Sequence, residues 1–234
     1  MGDLSMLFTV AAEFPVEITG EQVSAALAAV QDRHPLLQVH IEDHPEGRLG
    51  FHRPAPVPPI SLRVLHRPAE TWRQVAAEEV SQQFDTSQAP LARAVLVGDG
   101  DRSALLLTFY HCVVDGIGGV AVLNDLVSAL NGQELEILPI PPSQEDVVAG
   151  TLTAPTGHEA GPPPADDPRM GVPVAPRPLD GATPSVATLA LDKELTRNLL
   201  LRSREEKTTV HSILVAAVSR ARRASWAVRS SCAC

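Results

Sequence analysis

The sequence predicts an α/β fold of the α+β kind, a sheet with helices packed on it. Two strand-like runs, Ala92 to Val97 and Ser103 to Tyr110, are joined by the turn Gly98-Asp99-Gly100-Asp101, a strong hairpin signal. Apolar residues recur at helical spacing in two other stretches: Val23, Ala26, Leu27 and Val30, then Val120, Leu123, Leu126, Val127 and Leu130. Strands and helices alternate irregularly, so the order is mixed and not a strict βαβ repeat.

Taken in order, Met6 to Val10 reads as a first strand, and Thr19 opens a helix with Gln22 in capping-box position. That helix stops at Arg33-His34-Pro35. Leu37, Val39 and Ile41 then alternate as a half-buried strand, the turn His44-Pro45-Glu46-Gly47 follows, and Leu49 to His52 returns as its hairpin partner. Prolines 54, 56, 58 and 59 stiffen the approach to a strand from Ile60 to Leu65. Thr71 is expected to cap a helix from Trp72 to about Phe84. After the hairpin, Gly116 to Gly119 lead into a helix that ends at Asn131-Gly132. Domain 1–138 is followed by a Pro-rich linker, 139–184, with one short helix near Ser143 to Val148. Residues 185–223 read as the opening of a second domain: a strand from Val186 to Leu191, then helices at about Lys193 to Glu205 and Thr209 to Ala221. Residues 224–234 carry no periodicity or cap and read as an irregular tail.

Composition removes several functions. The formal charge is −9 over 234 residues, and Lys193 and Lys207 are the only lysines, so no basic surface suits nucleic acid. No apolar run approaches the ~20 residues of a membrane span, and a cytoplasmic location is expected. Cys112, Cys232 and Cys234 make an odd count, unlike a disulfide framework. Cys232-x-Cys234 lacks a second pair of ligands, and His34, His40, His44 and His52 are scattered by Pro45, so no metal site is expected.

His111 ends the most apolar strand, a rigid mount for a catalytic group. A neutral imidazole there could take a proton from a hydroxyl or amine attacking an acyl carbon. Asp115 is placed to brace the loop, and Gly116 to act as a hinge or to allow close backbone approach. The plain alternative is a satisfied turn at a strand end. Gly116-x-Gly118-x-x-Ala121 also matches the letters of a dinucleotide-binding loop, though the chain around it lacks the alternating strands of a doubly wound sheet. Cys112 beside His111 should point to the opposite face and not serve as a nucleophile.

The run His111-Cys112-Val113-Val114-Asp115-Gly116 resembles the HxxxDG signature of the chloramphenicol-acetyltransferase-like superfamily. That superfamily includes the condensation domains of nonribosomal peptide synthetases and the phthiocerol dimycocerosyl transferase-like and alcohol acetyltransferase-like acyltransferases. Three further segments agree in order. Gln31-Asp32-Arg33-His34-Pro35-Leu36-Leu37 resembles the RHPLL segment, Phe84-Asp85 through Pro90-Leu91-x-Arg93 resembles FDxxxxPLxR, and Thr208 to Leu214 resembles the segment opening the family's second domain. The resemblance covers about residues 1 to 222 and implies a two-layer sandwich, with this chain holding the N-terminal domain and a truncated start of the second. It implies transfer of an acyl group from coenzyme A or a carrier-protein phosphopantetheine thioester to a small-molecule hydroxyl or amine, with no bound cofactor. His111 would be the general base and Asp115 a structural residue held through a salt bridge. Gly116 would lie against the reacting carbonyl, with Tyr110, Gly118 and Gly119 as possible lining. Tyr110 stands where condensation domains often carry a second histidine, which leans toward the stand-alone acyltransferases. The DFGWG-like motif of the family's second domain does not occur, so weak or no activity is expected of the chain alone. A non-catalytic fragment or interaction module is the alternative.

Overall fold

The computed structural model describes residues 7–43, 49–143, 146–148, 183–184, 186 and 188–231, with 222–231 as backbone alone. The chain divides into two compact units, Met1–Val186 and Ala187–Cys234.

The first unit is built on four strands in the order β1-β6-β5-β4: β1 (Leu7–Phe14), β4 (Ser61–His66), β5 (Ala92–Gly98) and β6 (Ser103–Tyr110). β6 pairs antiparallel with β1 on one side and β5 on the other, while β4 runs parallel to β5. Side chains alternate across the sheet. Leu96, Leu105, Leu107 and Phe109 pack with α1 (Gly20–Arg33) and α3 (Gly116–Leu130). Val95, Val97, Ala104 and Leu106 pack on the opposite face with Val75 and Ala76 of α2 (Trp72–Val80). The mixed α/β class is as expected, and α2 adds cover on the second face beyond the two layers the resemblance implies.

Local chemistry explains the boundaries. At α1 the capping box forms in both directions: Gln22 N donates to Thr19 Oγ1 at 3.2 Å, and Thr19 N donates to Gln22 Oε1 at 2.8 Å. Pro35 does not start a strand, because Pro35–Gln38 coil into a 3₁₀ turn held by Gln38 Nε2 on the carbonyls of Gln31 and Asp32. The strand begins only at β2 (His40–Asp43), which pairs with β3 (Leu49–His52) as a separate ribbon. The turn at His44 to Gly47 lies outside the described residues. Thr71 does not cap α2, since its hydroxyl donates to Pro68 O at 2.8 Å within a preceding 3₁₀ turn. α2 stops at Val80 instead of Phe84, where Ser81 Oγ donates to the Glu78 carbonyl.

Residues 146–148 are helical, with Asp146 N donating to Ser143 Oγ, and most of the Pro-rich stretch lies outside the described residues. In the second unit, α4 (Lys193–Glu205) is capped by Asp192 and α5 (Val210–Ser231) by Thr209. No strand forms at the described positions from 186 to 191, for a strand needs a ladder partner and the described residues of this unit contain none. Nor is the chain irregular from 224: the backbone stays helical to Ser231, because Ala and Arg propagate a helix without an apolar stripe.

Glu79, only 2% exposed, ties α2 to the sheet. Its carboxylate accepts from Arg63 Nη2 at 2.7 Å and Arg93 Nε at 2.5 Å, and its carbonyl accepts from Arg93 Nη2 at 2.7 Å. Arg93 also stacks on Phe84, 4.3 Å from the ring centroid, so the Phe84-to-Arg93 element works as a structural clasp. Removing the carboxylate leaves the half-buried Arg93 guanidinium without its acid and opens a hole where the buried Glu79 side chain stood. Glu79→Ala should lower unfolding free energy by about 3–5 kcal/mol, read from the urea midpoint; a loss below about 1 kcal/mol would show that the clasp is not needed.

Candidate functional site

β6 delivers the site. Its last residue, Tyr110, donates its N–H to Leu91 O at 3.0 Å, and Val113 N closes a turn on Tyr110 O at 3.1 Å. Val113 is buried against Val39 and Leu91, which pins the turn beneath the loop. Asp115 then starts α3: its carboxylate accepts from Gly118 N at 2.7 Å and its carbonyl from Gly119 N at 2.8 Å.

His111 is exposed at the strand end. Its ring lies 5.0 Å from that of Phe8, tilted by 58°, and among the described residues no hydrogen bond engages either ring nitrogen. Phe8 is a residue that sequence reasoning missed. It sits opposite Phe109 in register, contacts that ring at 5.6 Å, and supports the histidine from β1. Gly119 answers to Phe8 as well, since a Cβ there would stand 2.9 Å from Phe8 Cε2. Gly118 is needed for the cap, where a Cβ would meet Asp115 Oδ1 at 3.2 Å.

Other expectations are revised. Gly116 has no positive φ, so it is the first residue of α3 and not a left-handed hinge; space around it is open, leaving room for a close approach. Asp115 makes no ion pair among the described residues and braces the loop as a helix cap alone. Tyr110 lines neither cavity described below and meets Phe84 edge-on at 6.4 Å. The dinucleotide reading loses its context, since the strand before α3 pairs antiparallel on both sides. His34 engages a carboxylate in α3, while His40 and His52 face each other across the β2–β3 ribbon, and among the described residues no metal-binding group forms.

The acid in question is Asp125, also missed. Its Oδ2 accepts from Arg33 Nε and His34 Nε2, both at 2.8 Å, and Arg33 further donates to Glu136 O and takes Leu138 N on its own carbonyl. The RHPLL-like segment thus bolts α1 to α3 and to the strap that follows α3. Two cavities flank that strap. The smaller, about 290 Å³, is bounded by His34, Leu37, Val114, Asp115, Gly118 and Val122. The larger, about 910 Å³, is reached by Cys112, Gln38, Phe51 and Ile140.

The sheet thus ends in an exposed histidine beside a capped helix, with two cavities nearby. A family model described as "Condensation domain" matches residues 5–151, and one described as "Wax ester synthase/diacylglycerol acyltransferase catalytic domain" matches residues 88–230. The chain belongs to the condensation-domain family. It is similar to one of the plipastatin synthases of Bacillus subtilis, 28% identical over 206 residues, which are 84% of this chain and 8% of that protein. Phosphinothricin tripeptide synthetase PhsC of Streptomyces viridochromogenes is 32% identical over 123 residues, 50% of this chain and 11% of that one. The chain therefore spans a small part of these curated relatives. The first condensation domain of the calcium-dependent antibiotic synthetase, with substrate analogue 3a, shares the fold at a TM-score of 0.52 and 17% identity, over 62% of this chain and 39% of that one. No described helix is long and apolar enough to cross a membrane.

Cys112 is exposed as a residue, yet burial around its sulfur pushes the thiol up to about 11 from 9.0. It therefore stays protonated at neutral pH and is a poor nucleophile. Alkylation of Cys112 by iodoacetamide, followed by peptide mass spectrometry, should run about a hundredfold slower at pH 8 than an ordinary thiol and climb until pH approaches 11. A rate that levels off near pH 9 would contradict this.

Proposed function

We propose that the chain is an acyl-transfer module in which His111 is the general base. The observation that carries the reading is the free imidazole at the end of β6, exposed, buttressed by Phe8 and unengaged by hydrogen bonds among the described residues. A hydroxyl or amine of the acceptor would give its proton to the neutral ring as it attacks the carbonyl of a thioester. The new C–O or C–N bond forms, the C–S bond breaks, and the departing sulfur takes the proton back from the imidazolium. The donor would be acyl-coenzyme A or an acyl-phosphopantetheine on a carrier protein, and the condensation-domain match supports the carrier. Asp115 holds the loop, and open space at Gly116 lets the carbonyl come near the first amides of α3. No bound cofactor is required. Localisation in the cytoplasm fits a coenzyme A or carrier-protein donor.

The test is transfer from octanoyl-coenzyme A, and from an octanoyl-loaded carrier protein, to 1-octanol and to an amino acid amide. His111→Ala should reduce turnover at least about a hundredfold with the melting temperature retained. Asp115→Ala should instead lower stability by about 0.5–2 kcal/mol through loss of the cap. Undiminished transfer by the His111→Ala protein would remove the proposed base.

A second reading, a non-catalytic interaction module, draws on the second unit, where Leu195, Leu200, Leu201, Leu214, Val215 and Val218 are exposed on α4 and α5. It requires association that rises with concentration. Sedimentation velocity should then show oligomers forming across the micromolar range, and a monomer at all concentrations would reject it.

A further inference from the structure

We propose that α5 docks on an anionic lipid surface, its apolar stripe among the acyl chains and its basic residues drawn to the charge of the headgroups. Acyl transfer at His111 is not needed for this contact, which concerns the second unit alone.

Charge divides the chain as the fold does. Residues 1–186 hold 10 basic and 24 acidic residues, whereas residues 187–234 hold nine basic and four acidic ones. Those four acids, Asp192, Glu194, Glu205 and Glu206, all precede α5, and Glu206 is already paired with Arg202 Nη2 at 2.6 Å. From Lys207 onward the sequence has five basic residues, Lys207, Arg220, Arg222, Arg223 and Arg229, and no acid. A basic helix without internal counter-charge, on a chain that is otherwise acidic, calls for an anionic partner.

Charge alone would suit any polyanion, and the apolar residues make the choice. Val210, Leu214, Ala217, Val218 and Ala221 recur at three- and four-residue spacing and so share one face of α5. Leu214 and Val218 on that face are 44% and 68% exposed. No described helix is long and apolar enough to cross a membrane, so a face of this kind lies along the interface, where it sinks by about 5–10 Å. A nucleic acid offers no apolar layer to receive Leu214 and Val218. A second copy of α5 would bring the same basic run against the first, at a cost in repulsion. The formal charge of −9 on the whole chain opposes the contact only weakly, because charges farther than about 10 Å from the surface are screened at about 0.1 M salt.

The test is flotation of the whole chain with two kinds of vesicle, phosphatidylcholine alone and phosphatidylcholine mixed equally with phosphatidylglycerol. Each basic residue near an anionic surface contributes about fivefold, so the mixed vesicles should bind at least about thirtyfold tighter at about 0.1 M salt. Raising the salt to about 0.5 M should weaken that binding about tenfold. Arg220→Glu should also weaken it about tenfold, and Leu214→Glu or Val218→Glu at least about tenfold. All three positions are exposed, and unchanged circular dichroism would show that each variant keeps its helices. Equal binding to the two vesicles, or none, overturns the proposal. So does full binding by the Leu214→Glu and Val218→Glu proteins, which would mark α5 as a site for polyanions in general. A dimer that ignores vesicles and dissociates on Leu214→Glu would assign the face to a second copy and overturn it too.

Discussion

The double pairing of β6 is the constraint from which the rest of the first unit follows. Ser103 through Phe109 are all buried, and the strand shares backbone hydrogen bonds with β1 along one edge and β5 along the other. A strand held on four sides, by two neighbours and two helical layers, cannot slip by one residue without turning its whole apolar set to the wrong face. Its last position is therefore fixed in space, and the first residue beyond it, His111, inherits that precision. β1 contributes twice, by closing the ladder to Tyr110 and by bringing Phe8 under the imidazole.

What the sequence made legible were features whose causes lie within a few residues. The capping box at Thr19, the hairpin turn after Gly98 and the helix stop at Asn131-Gly132 all depend on neighbours close along the chain, and all are found. The misreadings share a different origin. Thr71 carries the right side chain for a cap, but a 3₁₀ turn begun by Pro68 claims its hydroxyl. Leu37 fits an alternating pattern, yet Gln38 folds its amide back onto the end of α1 and coils that segment. In both places a hydrogen bond a few residues away outranked the local pattern.

Residues of the site divide along the same line. His111 and Asp115 stood out because they are polar groups at the end of an apolar run. Phe8 and Asp125 did not, for an aromatic in a first strand and an acid on an amphipathic helix are ordinary until the fold sets them against His111 and against Arg33 and His34. Those contacts join residues about ninety or more positions apart. Asp125 in particular gives the Arg33-His34 pair its purpose, since that one carboxylate ties α3 to the end of α1, where Arg33 in turn holds the strap through Glu136 O and Leu138 N beside the smaller cavity.

The two family models overlap between residues 88 and 151, and that interval holds β5, β6, the His111 loop, α3 with Asp125, and the strap. It is the part of the chain in which the strand fixes the histidine, the cap fixes the helix, and the clamp fixes the cavity wall. Elements on either side differ in kind: α2 and its Glu79 clasp support the sheet from behind, and the β2–β3 ribbon and the residue after it contribute Phe51 and Arg53 to the larger cavity. On the reading proposed above, the base stands at the end of β6, while Phe51 of the ribbon and Ile137 and Ile140 of the strap line the larger cavity from elements that the sheet does not hold in register.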